Sequence, residues 1–374
     1  MTEPLVISDI ATLGRARYAR DLDEVTIVTR KLKFRNLLPC ALKYALWAVR
    51  PGGHILVEDS DGENSAPPAF TVSRNLVRQW IARFIGRDVE WIGTDAQGRI
   101  ALKRVRPIMK PGWSAGIVFS GSDGEIPTLL NCLTGLNAQP ELASGNGEIL
   151  VCGPRRNLDF LAAHPNVRYV EFLSPEGERF MIGRKKNLLM DRMTGPRLVV
   201  LHARVVLEAG ALAGVPREFD MSSPNTTVQE NYGRETYLSL SATDGVWPAM
   251  AARRGTLMMR HLKPGADPLI LHQRGGLFVD GGAFYVTKEL AQECPLHDQI
   301  AWNEAEDVEW CGRAFTQGFL IDMAPDSPAY SQTNKLPPRP HLGGLTEFIW
   351  SGVRRKSEIN AALRDRFERM TGRR

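Results

Sequence analysis

The first hundred residues alternate between strand-like and helix-like patterns of apolar positions. Val25–Val28 is a β-branched run that predicts a short strand, and apolar positions at helical spacing predict a helix over Leu37–Arg50. A Pro-Gly-Gly turn then leads into a strand over His54–Asp59. The same patterns next predict one helix and two strands, Ser73–Ile85, Val89–Gly93 and Ile100–Val105. This part of the chain is therefore expected to form a small α/β domain.

A second, longer alternation of strands and helices begins near residue 113. A helix over Pro127–Ala138 is predicted after the first strand of this part. A second helix, which ends near Met193, is predicted before its last strand. The predicted strands are Ala115–Ser120, Glu148–Cys152, Val167–Phe172 and Arg197–Leu207. Strands separated by helices form parallel sheets, which bind ligands at the carboxyl ends of their strands. We therefore expect a functional site where these strands end.

Two proline-containing stretches divide the chain. Arg106–Gly112 is predicted to be a linker, and Asn334–Pro340 has three prolines in four residues, which exclude regular structure. The predicted domains are residues 1–107, 113–335 and 336–374. In the last, apolar residues at helical spacing among arginines predict a basic amphipathic helix. It is expected to pack on the core or to form a homo-oligomer with a second copy, and peripheral contact with an anionic membrane is the alternative.

The composition excludes several classes of protein. With 43% hydrophobic and 24% charged residues, the chain is neither disordered nor fibrous. No apolar run approaches the ~18 residues of a membrane span, and no signal-peptide pattern is visible, so we expect a cytoplasmic protein, at most peripheral to the inner face of the membrane. Five scattered cysteines form no CxxC pair, which argues against disulfides and structural zinc. No nucleic-acid motif accompanies the net charge of +5, so no nucleic-acid partner is expected.

Residues 129–152 carry a recognisable pattern. Leu129–Gln139 fits the spacing L-x-x-C-L-x-x-L-x-x-Q, and Glu148–Cys152 is an acidic residue followed by an apolar strand. Both features resemble nucleotide-sugar-dependent glycosyltransferases of the GT-A type, most closely family 2. The resemblance implies an α/β, Rossmann-like GT-A core. It also implies a nucleotide-sugar donor, a glycan or lipid-linked saccharide acceptor, and transfer with inversion, in polysaccharide biosynthesis at the cell surface.

Polar residues follow the predicted strands where the resemblance implies the donor. Gly153 stands where the family has an acidic residue, and Arg184–Asn187 resembles the family's A-R-N-x-G helix start. A helix N-terminus offers free N–H groups and a partial positive charge, so additional cations make it suitable for a diphosphate. The alternative is a solvated basic helix start. The expected donor-binding residues of this group are Ser120, Ser122, Gly153, Lys185, Lys186 and Asn187.

The end of the fourth strand departs from the family pattern. Metal-dependent GT-A enzymes have D-x-D there, whereas this chain has His202-Ala203-Arg204. Two carboxylates would hold Mg²⁺ or Mn²⁺ through oxygen, but a guanidinium group could neutralise a diphosphate directly. We therefore predict donor binding by His202 and Arg204 without a metal cofactor. The alternatives are a divalent ion held by Asp280 or Glu208, residues that merely end a strand, or a site that has lost its donor.

The last part of the core carries a longer match. Phe278–Val286 contains the glycine pair Gly281–Gly282, and Trp302–Trp310 resembles the family's W-G-x-E-D passage at the start of a helix. The resemblance implies that Asp307 is the general base, with Glu306 beside it. It implies acceptor binding by Gly281, Gly282, Trp302 and Glu304. The alternative is that these acids form a solvated first helical turn, which the helix dipole favours.

The N-terminal pattern, with the turn Val49–Gly53, resembles the C-terminal half of a class I methyltransferase. Such enzymes bind their cofactor on a glycine-rich loop after the first strand, and residues 1–30 contain a single glycine, Gly14. We therefore interpret this segment as a truncated, non-catalytic domain. Two hypotheses remain for the whole chain: an inverting glycosyltransferase, or a degenerate GT-A module that acts as a scaffold or regulatory partner.

Overall fold

The computed structural model describes most of the first 333 residues of the chain. The described ranges are 4–32, 35–58, 74–143, 147–174, 180–230, 233–239, 259–262, 269–272, 278–302 and 306–333. The predicted basic tail over 336–374, and Glu304 among the predicted acceptor-binding residues, lie outside these ranges. Within them, no helix is both long and apolar enough to cross a membrane.

The N-terminal residues form a five-stranded sheet. Its order is β1-β2-β3-β5-β4, in which β1, β2 and β3 are parallel and β5 runs antiparallel to both of its neighbours. The strands are β1 (Leu5–Ile7), β2 (Leu22–Ile27), β3 (Val49–Val57), β4 (Val89–Thr94) and β5 (Ile100–Arg104). The helices are α1 (Ile10–Tyr18), α2 (Leu38–Ala48) and α3 (Arg74–Trp80), and a π-helical turn over Ile81–Ile85 continues α3. The helices and strands predicted for this segment are confirmed, but the predicted Pro-Gly-Gly turn is wrong, because β3 begins at Val49 and includes these residues.

One strand and one helix at the start of the chain were not predicted. The strand β1 has only three residues, too few to show an alternating pattern. Helix α1 begins at a capping box, in which the Asp9 carboxylate accepts the Thr12 backbone N–H at 2.8 Å and the Thr12 hydroxyl oxygen accepts the Asp9 N–H at 3.0 Å. The helix is recognisable from this polar signal and not from an apolar stripe.

The remaining described residues form a larger mixed sheet. Its order is β10-β15-β11-β14-β9-β6-β7-β8, and β12 joins β11 to β13. The strands are β6 (Trp113–Val118), β7 (Glu148–Gly153), β8 (Val167–Glu171), β9 (Arg197–His202), β10 (Val205–Leu207), β11 (Met221–Glu230), β12 (Gly233–Ser239), β13 (Met259–Leu262), β14 (Ala283–Thr287) and β15 (Ile321–Ser331). The helices are α4 (Ile126–Asn137), α5 (Pro140–Ala143), α6 (Ile182–Arg192), α7 (Leu269–His272), α8 (Lys288–Glu293) and α9 (Glu306–Thr316). The predicted α/β class is confirmed.

The row β9-β6-β7-β8 is parallel and positions the candidate site. Val118 at the end of β6 pairs with Cys152 on one side and with His202 on the other, so three strands end at one edge. Both faces of this row are buried: Val199 and Leu201 belong to one apolar cluster, and the intervening residues of β9 belong to another. Strands that are buried on both faces consist of continuous apolar residues, so these strands could be predicted from the sequence.

The single strand predicted over Arg197–Leu207 is wrong. The strand β9 ends at His202, the chain turns, and Val205–Leu207 pairs with β15, which lies three strands away from β9 in the same sheet. The apolar residues continue through the turn because both strands are buried, so hydrophobicity alone does not mark the break. The strand β15 continues past its two prolines through a register shift against β11.

Buried ion pairs join the two sheets, which lie in one compact unit, Met1–Thr333. Arg17 of α1 contacts Asp322 of β15 at 2.9 Å, and the Tyr44 hydroxyl donates to the same carboxylate at 2.5 Å. His272 of α7 approaches Asp322 at 3.0 Å. Two further buried pairs cross between the sheets, Lys43–Asp220 at 2.9 Å and Arg104–Glu218 at 2.7 Å.

Candidate active site

A short loop before β14 connects the strand edge to the first turn of α9. The backbone N–H of His202, at the end of β9, donates to the Gly282 carbonyl at 2.8 Å. The backbone N–H of the preceding Gly281 donates to the Asp307 carboxylate at 2.7 Å. The loop therefore brings the unusual strand end and the predicted base to the same place, although 105 residues separate them in sequence.

A lysine and two carboxylates meet beneath Gly281. The Lys186 ammonium group lies 2.8 Å from Glu306 Oε1, and both side chains are buried. A Cβ atom on Gly281 would stand 2.9 Å from Lys186 Nζ, 3.0 Å from Asp307 Oδ2 and 3.1 Å from Glu306 Oε1. All three polar atoms thus converge on one point, which explains a glycine at this position.

Asp307 is held with both oxygens engaged. Besides the bond from Gly281, its Oδ1 accepts the backbone N–H of Val308 at 2.9 Å, at the open end of the helix. Burial, the neighbouring Glu306 and the nearby Asp280 raise the pKa of Asp307 to about 6, against the attraction of Lys186 and the bond from Gly281. A carboxylate with this pKa can exchange a proton near neutral pH.

A basic cluster lies beneath the next glycine of the loop. Arg204 Nη1 is 2.9 Å from His202 Nδ1, so the two side chains meet even though Arg204 stands in a turn. A Cβ atom on Gly282 would be 2.8 Å from Arg204 Nη2 and 3.2 Å from Asp280 Oδ1. The Asp280 carboxylate also accepts the Gly282 N–H at 2.8 Å. The His202 and Arg204 side chains, which stand where the family has two acidic residues, therefore lie beside the Asp280 carboxylate of the loop.

The groups at this strand end do not fit a magnesium or manganese ion. They supply an imidazole, a guanidinium group and the single Asp280 carboxylate, whereas these ions prefer several oxygen ligands.

The predicted diphosphate residues of α6 have protein partners. Lys185 is buried, and its ammonium group donates to the Phe119 carbonyl. The Asn187 amide donates to the Leu296 carbonyl at 2.8 Å and its oxygen accepts the Leu296 N–H at 3.0 Å. Arg184 donates to the Asp298 carbonyl at 3.1 Å. The segment 296–298 thus lies against the start of α6, and the structure separates Lys185 and Asn187 from the carboxylate cluster that Lys186 joins.

The predicted residues after β6 and β7 lie at the same strand edge. Ser120 is exposed, its N–H donates to Glu125 at 2.6 Å, and its hydroxyl accepts the Ser122 N–H at 3.2 Å. A Cβ atom on Gly153 would be 2.5 Å from the Tyr169 hydroxyl and 3.0 Å from the Phe119 ring. Glycine at 153 is therefore explained by close packing, whatever the role of this position toward a ligand.

Of the predicted acceptor-side residues, Gly281 contacts Asp307 in the first turn of α9, and Trp302 precedes that helix in the chain. Trp302 is 55% exposed, and its N–H donates to the Phe180 carbonyl at 2.9 Å. This bond connects the segment before α9 to the segment before α6. Glu304 lies outside the described residues.

Asp280 was considered from the sequence only as a possible ion ligand, although an acidic residue beside two glycines is a local signal for a site residue. Arg156 was not selected from the sequence. Arg156 contacts Asp123, and its Nη1 donates to the Gly121 carbonyl at 2.6 Å, so it ties the loop after β7 to the loop after β6. Nothing in the Arg155–Arg156 pair distinguishes one arginine from the other before folding.

The chain matches no protein-family profile. No curated protein matches it by sequence. Its structure is similar to those of several glycosyltransferases. GalNAc-T7 with UDP, GalNAc and Mn²⁺ has 15% identity and a TM-score of 0.41, over 63% of this chain and 46% of that one. The mannosyltransferase PcManGT from Pyrobaculum calidifontis, with GDP-Man and Mn²⁺, has 14% identity and a TM-score of 0.38, over 63% and 62%.

TarS residues 1–349 from S. aureus, with UDP-GlcNAc, has 11% identity and a TM-score of 0.40, over 60% of each chain. The matched part therefore spans less than two thirds of each of these proteins. At this identity and overlap, the likeness carries no information about what this chain binds or transfers. The chemistry has to follow from its own residues.

Proposed function

We infer that this chain is an inverting glycosyltransferase of the GT-A type, similar to family 2, which moves a sugar from a nucleotide-sugar donor to a hydroxyl group of a glycan or lipid-linked acceptor. The observation that carries this proposal is the Asp307 carboxylate, fixed by Gly281 at the strand edge with its pKa raised to about 6. The basic pair His202–Arg204 lies across the same loop. A base and a cationic group on either side of one loop suit a reaction that removes a proton and releases a diphosphate.

The proposed step balances as follows. The acceptor oxygen attacks the anomeric carbon while the bond from that carbon to the diphosphate breaks. Asp307 takes the proton of the attacking hydroxyl, and the electron pair of the broken bond leaves with the nucleoside diphosphate. The guanidinium group of Arg204 offsets the charge that develops on the diphosphate. No divalent ion is required in this scheme.

The rest of the chain has supporting roles in this proposal. The N-terminal sheet, residues 1–107, serves as a non-catalytic structural or docking domain, which is supported by its buried pairs with the core, such as Arg104–Glu218. The residues over 336–374 provide contact with a second copy or with the inner membrane surface. The reaction then belongs to the assembly of surface polysaccharide in the cytoplasm.

The direct test is the Asp307→Asn variant. We expect transfer to fall by about 10²–10⁴-fold, because a general base contributes on this order, while affinity for UDP or GDP stays nearly unchanged. Transfer by the wild type should rise with pH through about 6, since the base must be ionised. The assay is release of nucleoside diphosphate from a panel of nucleotide sugars with saccharide acceptors.

Glu309→Gln is the matched control for this variant. Glu309 lies in the same helix, but its carboxylate pairs with Arg313 at 2.8 Å, one turn further along. Its loss should leave transfer within about twofold, as expected for an exposed i,i+4 pair. Undiminished transfer by Asp307→Asn would remove the proposed base. Failure of the wild type to bind any nucleotide would favour the scaffold hypothesis.

Metal independence is tested through Arg204. Binding of UDP or GDP, measured by calorimetry, should survive EDTA. Arg204→Ala should weaken that binding by about 1.5–3 kcal/mol, the range for a hydrogen bond to a charged group. Arg168→Ala is the control, because Arg168 pairs with Glu148 at the opposite, amino-terminal end of β7. Loss of binding on chelation, with recovery on adding Mn²⁺, would contradict the scheme.

A further inference from the structure

Lys186 is buried at the site of the proposed base. Its side chain is fully excluded from solvent, and its ammonium group is directed from α6 to Glu306 in the first turn of α9, at 2.8 Å. The same nitrogen lies beneath the Gly281 backbone and 5.7 Å from the centre of the Phe284 ring. Every one of these contacts belongs to the site of the base, and none to the loops after β6 and β7.

The charges around Asp307 are unbalanced without this lysine. Glu306 adjoins Asp307 in the helix, Asp280 faces it from the loop, and the Cys311 thiol lies one turn further along α9. Lys186 is the cation that acts on this group. Two adjacent carboxylates in a poorly solvated place cannot both stay ionised unless a positive charge lies between them.

We propose that Lys186 is a positioning residue for the carboxylate pair: its ammonium group fixes Glu306 beside Asp307 through their 2.8 Å ion pair and offsets the negative charge around Asp307, so that Asp307 can take the acceptor proton. This inference rests on the proposed function for the proton transfer itself. The charge arrangement on which it depends is a property of the protein alone. Lys186 therefore acts on the base and makes no contact with the donor diphosphate.

Lys185 provides a control within the same helix. It adjoins Lys186 in sequence and is equally buried, but its ammonium group donates to the Phe119 carbonyl and lies between the Phe172 and Phe180 rings. Burial lowers the pKa of Lys185, against the attraction of the Cys152 and Glu125 groups. Replacing either lysine by methionine removes one buried charge from α6, but only Lys186→Met removes a charge that lies beside Asp307.

The experiment measures the protonation midpoint of Asp307 by carboxyl-carbon NMR in the full-length chain, with the resonance assigned by its loss in Asp307→Asn. Lys186→Met should raise the midpoint by about one pH unit or more, a tenfold change in proton affinity. Lys185→Met should leave the midpoint unchanged. In the transfer assay, Lys186→Met should lower kcat about tenfold at pH 5, where Asp307 is mostly protonated, and only about twofold at pH 7, while KM for the donor and Kd for UDP stay within twofold.

A double variant keeps the test valid if Lys186→Met does not fold. Lys186→Met with Glu306→Gln removes both charges together, and the Asp307 midpoint should then return to within about half a pH unit of the wild-type value. An unchanged midpoint in Lys186→Met, with Kd for UDP weakened as much as kcat falls, would overturn the proposal and make Lys186 a donor ligand. A shifted midpoint in a chain that transfers no sugar would support the positioning role and refute the proposed function alone.

Discussion

Two aspartates of this molecule have opposite environments. Asp322, on β15, is buried among Arg17, His272 and Tyr44, and these partners hold its pKa well below the usual range although burial alone would raise it. Asp307, at the start of α9, is partly buried among Glu306, Asp280 and Lys186, and its pKa is raised to about 6. The groups around Asp322 mostly favour its ionised form, whereas the groups around Asp307 mostly oppose it.

This difference separates a structural role from a chemical one. A fully paired buried carboxylate stays ionised at every physiological pH, so it can hold two sheets together but cannot exchange protons. A carboxylate crowded by other carboxylates lowers the free energy of unfolding when it is ionised, but its pKa lies near the pH at which it would work. The contrast supports a structural role for Asp322 in the contact between the sheets and the proposed role of general base for Asp307.

The largest expected effect on stability comes from Asp322→Asn. Removing this charge takes away the carboxylate that the buried Arg17 and His272 contact, which should lower the free energy of unfolding by about 3–5 kcal/mol. Because the folded-state pKa of Asp322 is depressed, its stabilisation is present above the unfolded value of about 4 and is lost as pH falls below it. Urea unfolding at pH 7 and at pH 3 measures both effects.

Asp307→Asn should show the opposite sign in the same experiment. Its folded-state pKa is raised, so the wild type loses stability as pH rises from about 4 to about 6, and the variant should lack this loss. Equal destabilisation by the two substitutions at pH 7 would mean that the two aspartates do not differ as described.

A smaller effect is expected from Gly281→Ala. The added Cβ would press on Lys186, Glu306 and Asp307 at 2.9–3.1 Å, so we expect transfer to fall at least tenfold and stability to fall by about 1–3 kcal/mol. Gly312→Ala is the control within α9, because its Cβ would meet nothing within 4 Å and alanine favours a helix by about 0.5–1 kcal/mol. Normal transfer in Gly281→Ala would show that the close packing at Gly281 is not needed to position Asp307.

The sequence predicted the elements of this site better than their contacts. Apolar runs revealed β6, β7 and β9 because both faces of these strands are buried, whereas Asp307 was proposed from the resemblance of Trp302–Trp310 to a family passage. The turn after His202 escaped notice because the apolar run continues into β10. The α/β class followed from the alternation of patterns alone.

The pairing of charges could not be predicted. Lys186 and Glu306 lie 120 residues apart, and Arg17 and Asp322 lie 305 apart. Periodicity reports which face of an element is buried and not which other element covers it. For the same reason, Lys185 and Lys186 looked alike in sequence, although one contacts a carbonyl and the other a carboxylate.

The most direct test of this account is a carboxyl-carbon NMR titration of the wild-type protein that follows Asp307 and Asp322 in one series of spectra, each assigned by its asparagine variant. We expect Asp307 to titrate with a midpoint near 6, and Asp322 to remain ionised to the lowest pH at which the protein stays folded. If both aspartates instead titrate together near the ordinary value of about 4, Asp307 is an unperturbed carboxylate and the proposed base is contradicted.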